Sequence, residues 1–253
     1  MWNELVHRHG IRRLAGKCRL WGYRCVRWKR ISHLASVRSR CRVVALSRSG
    51  TTTEIIALLG ALGSTPTTLI TGVADSSAAA LADDVIALPF ADEQSVVQTR
   101  FATSTLAMLR VHLGENIESL ISDAERALTV SIDDLLSANQ CTFVGLGWTV
   151  GLTFEAALKT REAAQFWSES YPAMDYRHGP IAIAEPGRLV WSFGEAPAGL
   201  ADEVAETGAH FVIHDLDPLA GLVVAQRFAI GLAKARGLDP DRPRSLTRSV
   251  ILA

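Results

Sequence analysis

From residue 43 onward, short apolar runs alternate with amphipathic helical stretches, and that alternation confines the chain to very few architectures. Arg42-Val43-Val44-Ala45-Leu46-Ser47 reads as a buried strand, residues 55–62 as a helix, and 67–71 as a second strand after the break at Pro66. A short helix over 76–82, a strand over 84–89 and a long helix over 95–113 follow. The plan then recurs, with a strand over 141–147, a helix over 150–165, a strand over 188–192, a helix near 198–206, a strand over 210–214 and a closing helix near 219–236. Strand–helix alternation of this kind predicts parallel sheets with helices on their faces.

An internal repeat supports the same division. Val96-Val97-Gln98-Thr99-Arg100-Phe101-Ala102 matches Val223-Val224-Ala225-Gln226-Arg227-Phe228-Ala229 with five of seven positions identical. We read two copies of one α/β unit, 42–120 and 121–253, the first lacking its opening strand–helix segment and the second carrying a C-terminal tail. Residues 1–41 stand apart. Residues 1–42 hold twelve of the 26 Lys and Arg against one acid, Glu4, together with three of the six Trp and three of the four Cys. A nucleic-acid arm is one reading of such a basic stretch. Basic arms rarely carry this much Trp and Cys, so the segment is read instead as not continuing the domain that follows, and no nucleic-acid partner is expected.

Composition narrows the function class. Apolar residues make up 48% of the 253, enough for a sizeable core and too many for a disordered chain. No apolar run approaches the roughly 18 residues that cross a bilayer, and no apolar segment follows the N-terminal Met1-Trp2-Asn3-Glu4 in the manner of a secretion signal. The four cysteines, Cys18, Cys25, Cys41 and Cys141, match no zinc or redox spacing. The expectation is a cytoplasmic protein with no membrane contact, no metal and no organic cofactor.

In an open parallel sheet, ligands lie beyond the carboxyl ends of the strands. Ser47-Arg48-Ser49-Gly50-Thr51-Thr52-Thr53 occupies such a turn, and five of those seven residues are hydroxylic. Amides at a helix start, a glycine that admits close approach and several hydroxyls together favour an anion. The P-loop lysine is missing, so a phosphomonoester fits better than a nucleoside triphosphate. An ordinary N-cap would need one hydroxyl. The matching turn of the second copy, Trp191-Ser192-Phe193-Gly194-Glu195, has no such cluster, which leaves one phosphate site per chain.

Glu155, Lys159 and Glu162 share one helical face at spacings of four and three, and His178 lies in the turn Tyr176-Arg177-His178-Gly179-Pro180. Spacing alone would make the first three a solvated ion-pair face and the last a packed turn histidine.

These segments, with 239–250 (Asp239-Pro240-Asp241-Arg242-Pro243-Arg244-Ser245-Leu246-Thr247-Arg248-Ser249-Val250), resemble the tandem sugar isomerase (SIS) family over roughly 42–253. The resemblance is greatest to the isomerase half of glucosamine-6-phosphate synthase and to amino-sugar-phosphate deaminase/isomerases. It implies two flavodoxin-like subdomains, a phosphosugar held at Ser47, Arg48, Ser49 and Thr52, proton transfer between C1 and C2 by Glu162 with support from Lys159, and ring opening assisted by His178. It further implies a homodimer with shared active sites. Arg248 stands where the synthase has an imine-forming lysine; a guanidinium cannot form that imine, so an anion contact or a lid role is expected there. The missing glutaminase part argues against glutamine-dependent amination, and the missing first strand and its Gly/Ser turn imply weakened activity. The alternative is a non-catalytic phosphosugar sensor, which would need Ser47 to Thr52 but would have no use for Glu162 and His178.

Overall fold

In a computed structural model of the chain, the described residues are 42–252. They form two compact units, 42–108 with 245–252, and 109–244. The expectations placed on residues 1–41, including a missing opening strand–helix segment, lie outside the described residues.

The first unit holds a three-stranded parallel sheet in the order β1-β2-β3, with β1 Val43–Ser47, β2 Thr67–Thr71 and β3 Asp84–Ala87. Val43 aligns with Thr67 and Ser47 with Thr71, so the carboxyl ends of β1 and β2 finish side by side. Helix α1, Thr53–Ala61, returns the chain between them. Ile55, Leu59 and Leu62 pack with Ala45, Leu69 and Ala78 into one core; each fully buried aliphatic side chain contributes about 1.5–3 kcal/mol. The central β2 is buried throughout, whereas β3, at one edge of the sheet, is exposed at every position.

Helix α2, Arg100–His112, begins five residues later than the sequence pattern suggests. The cause is Glu93, whose carboxylate accepts from the amides of Thr99 and Phe101 and from the Thr99 hydroxyl. Residues 95–99 therefore fold around a buried carboxylate and not into a first helical turn. The expected helix over 76–82 is a single 3-10 turn, Ala79–Leu81.

The second unit holds a four-stranded parallel sheet in the order β5-β4-β6-β7: β4 Gln140–Gly145, β5 Ser168–Pro172, β6 Arg188–Phe193 and β7 His210–Ile213. Helix α3, Glu118–Ala127, precedes it. Helix α4, Val150–Ala164, links β4 to β5, and a one-turn helix α5, Ala173–Tyr176, follows β5. Helices α6, Leu200–Glu206, and α7, Pro218–Ala235, complete the unit. Asp217 caps α7 through the Leu219 amide, and Arg110 clamps both carboxylate oxygens of Asp217 at 2.9 and 2.8 Å. Although α7 is long and apolar enough by composition to span a bilayer, Leu219, Leu222, Val224, Phe228 and Leu232 are buried inside its own unit. The sequence repeat falls unevenly on the structure. Val223–Ala229 lies wholly within α7, whereas only Arg100, Phe101 and Ala102 of its counterpart are helical.

Candidate active site

The turn after β1 is a compact nest of hydroxyls and amides. Gly50 takes φ +62°, and a side chain there would place its Cβ 1.9 Å from Ser76 Oγ, so the bend requires glycine. The Gly50 amide donates to Ser47 Oγ at 3.2 Å and the Thr51 amide to Ser49 Oγ at 3.3 Å. Ser47 and Ser49 are each 7% exposed. Thr52 is the N-cap of α1 in an extended conformation, and its hydroxyl makes no capping bond. The start of α1 thus carries a helix dipole and neutral donors without a fixed counter-anion from its own N-cap.

Arg48 is used differently. Its guanidinium is 2% exposed and donates to the carbonyls of Ser95 at 2.6 Å, Glu93 at 3.4 Å and Arg248 at 3.3 Å. Burial pulls its pKa below the usual arginine value, and the nearby Arg248 adds to this while Glu93 and Asp92 oppose it. Arg248 in turn binds Asp92 Oδ1 at 2.5 Å and the Glu93 carbonyl. The chain end then lies along the start of α1. The Thr53 amide donates to the Val250 carbonyl at 3.1 Å, the Thr51 hydroxyl to Ser249 Oγ at 2.9 Å, and the Leu252 amide to Thr53 Oγ1 at 2.9 Å. Two of the residues singled out from sequence, Arg48 and Arg248, therefore meet in one bracket around residues 92–95.

In the second unit, α4 brings Glu155, Lys159 and Glu162 together as their spacing predicts, but in a dry setting. Glu155 is 1% and Lys159 3% exposed, whereas the Glu162 side chain retains 20%. Lys159 Nζ lies 2.6 Å from Glu162 Oε2 and 3.6 Å from Glu155 Oε1. Burial pushes the Glu155 carboxyl up to about 8 against the pull of Lys159, and the charge on Glu162 adds to the rise. For Lys159, burial alone would lower the pKa, but Glu155 and Glu162 outweigh it and hold the ammonium above its ordinary value. A carboxylate with partial solvent access, paired to a buried cation, is chemically suited to accept a proton from carbon. Its cation can then steady a developing oxyanion. A solvated ion-pair face would show none of this burial.

His178 sits in an exposed turn after α5, anchored through its backbone amide to the Asp175 carbonyl at 3.0 Å. Its neighbour Arg177 fixes the turn, donating to Glu203 Oε2 at 2.5 Å and to the Ala198 carbonyl at 2.6 Å. The structure shows no contact between His178 and the α4 cluster. Among the described residues, no group of three or more His, Cys, Asp or Glu side chains is arranged to hold a metal ion.

Against this geometry, similarity to known proteins is informative. No family model matches the chain. It is 29% identical to the glutamine–fructose-6-phosphate aminotransferase of Gloeobacter violaceus, over 85% of this chain and 44% of that protein. The corresponding protein of Clostridium perfringens is 25% identical over 85% of this chain and 45% of its own. The chain thus spans less than half the length of these relatives. Among solved structures, a glucosamine-6-phosphate deaminase from Thermotoga maritima superposes with a TM-score of 0.78 at 21% identity, covering 99% of this chain and 88% of that one. A tagatose-6-phosphate ketose/aldose isomerase from Escherichia coli gives 0.75 at 14% identity, covering 95% and 82%. The fold is that of the SIS phosphosugar isomerases, with parallel sheets in two units. Within that class, the sequence homologues are the isomerase portions of glutamine–fructose-6-phosphate aminotransferases.

Proposed function

We propose that this chain is a phosphosugar isomerase or amino-sugar-phosphate deaminase that moves a proton between C1 and C2 of an open-chain hexose phosphate. The single observation that carries this reading is the Lys159–Glu162 pair, 2.6 Å apart, with the ammonium buried and the carboxylate partly exposed. Glu162 is the base that takes the proton from the carbon beside the carbonyl or imine. Lys159 stabilises the enediolate or enolamine that results. The hydroxyls of Ser47, Ser49 and Thr52, with the dipole of α1, receive the phosphate. Arg48 and Arg248 contribute by holding the 92–95 segment and the chain end beside that turn. His178, in an exposed turn, serves ring opening in a homodimer, as an imidazole that can both give and take a proton. Binding energy gained at the phosphate orients the reacting carbons.

A solvent-deuterium exchange screen over fructose, glucosamine, galactosamine and tagatose 6-phosphates tests the reading. Deuterium entering at C1 or C2 of at least one sugar is the expected result. Binding without exchange for all four would replace the enzyme with a sensor.

A further inference from the structure

Glu155 is the one member of the α4 cluster that the proton-transfer step does not use. Among the described residues, both of its carboxylate oxygens are shielded from solvent and without a hydrogen-bond partner, and Lys159 stands 3.6 Å away as an ion-pair partner. A buried carboxyl left in this state is costly, and an exposed i,i+4 pair would provide the same helix support more cheaply. We propose that Glu155 is a positioning residue that shares the Lys159 ammonium with Glu162 from behind, so that the charge state of Glu155 decides how fully Lys159 neutralises Glu162. The proposal rests on the reading of Glu162 as the base.

The direction follows from Coulomb's law. With Glu155 neutral, the Lys159 ammonium pairs with Glu162 alone and holds its charge closely. With Glu155 ionised, the ammonium serves two carboxylates, and the negative charge on Glu162 is less fully neutralised and freer to act on substrate. Lys159 and Glu162 are the charges that act most strongly on Glu155 among the described residues. Charged groups on the elements packed around α4 are engaged elsewhere. Glu169 on β5 accepts from Trp167 and Tyr171, Arg188 on β6 pairs with Glu185, and Arg227 on α7 donates to the carbonyls of Ala127 and Val130. Lys234 of α7 and Arg161 of α4 itself are exposed, the latter donating to the Ser168 carbonyl. Cys141 on β4 is kept as the neutral thiol by burial.

Two measurements on the full chain decide the matter. In the first, the rate of deuterium exchange into the active hexose 6-phosphate is followed against pH for the wild type and for Glu155→Gln. The wild-type rate should rise through a step near pH 8 that the variant lacks, with KM unchanged. A step that persists in Glu155→Gln overturns the proposal. The second needs no turnover. In protein labelled with carboxyl-13C glutamate, the Glu155 titration should move to lower pH in Glu162→Gln, by about half a unit or more, because the repelling charge is gone. An unmoved Glu155 titration overturns the coupling. If no hexose phosphate exchanges in the wild type, the functional reading fails while the titration still decides whether the two carboxyls are coupled.

Discussion

The turn after β1 and the buried face of α4 use polar groups in opposite ways. In the turn, Ser47, Ser49 and Thr51 satisfy one another and the local amides with neutral hydrogen bonds, none spanning more than three residues except that from Thr51 to Ser249. On α4, a buried ammonium lies between a fully buried carboxyl and a partly exposed carboxylate, beside Ala156, Ala157 and Ala163, where the state of each group depends on its neighbours. The first arrangement costs the fold little, because its hydrogen bonds are local and neutral. The second is expensive, since removing charges from water is repaid only by close pairing. Neutral, local hydrogen bonds let the turn keep its shape independently of the rest of the unit, whereas the α4 cluster holds only while its three members stay together.

The largest effect that would sharpen this contrast is on chemistry. Glu162→Gln should slow deuterium exchange by about 10³-fold while leaving the dissociation constant for the sugar phosphate within about twofold. Persistent exchange would remove Glu162 as the base. Stability comes next. Lys159→Met leaves Glu155 buried without its cation and should destabilise the protein by about 3 kcal/mol in urea unfolding, whereas Glu155→Leu/Lys159→Met together should recover much of that loss. Additive losses would mean that the two groups do not depend on each other. In the turn, Gly50→Ala meets both the positive φ and the Ser76 side chain, and should cost about 2 kcal/mol in the same assay. Ser49→Ala should raise the dissociation constant for fructose 6-phosphate about tenfold with little change for fructose itself; equal losses for both sugars would detach the turn from the phosphate.

Acidity provides the gentlest test. The Glu155 pKa is raised on folding, from 4.5 to about 8, so its neutral form is the one the native state favours. The corresponding stability is complete below pH 4.5 and is lost as pH climbs through about 8. Comparing unfolding midpoints at pH 5 and pH 8, the wild type should lose more than Glu155→Gln does. An identical loss would mean that Glu155 titrates normally.

What the sequence revealed divides along the same line. The strand runs at 43–47 and 67–71 and the hydroxyl turn between them were legible because apolar periodicity, glycine and Ser/Thr act locally. The strand β5 was missed because Ser-Glu-Ser-Tyr-Pro is polar and ends in proline; it forms at the sheet edge, where such a strand is tolerated. The clustering of Glu155, Lys159 and Glu162 followed from helical spacing, but their burial depends on β4 and α7, which spacing does not encode. A search at the carboxyl ends of the strands would also have passed over Glu162, since it lies in the last turn of α4, shortly before β5 begins. The bracket formed by Arg48 was invisible for a similar reason: its partners are carbonyls 45 to 200 residues away.

The contact between the Val250 carbonyl and the Thr53 amide has a practical consequence for anyone preparing this protein. Residues 249–252 run along the start of α1, so a bulky group attached to that segment would crowd the hydroxyl turn. Ligand titrations on protein labelled there would report the attachment as much as the turn, so a probe is better placed elsewhere.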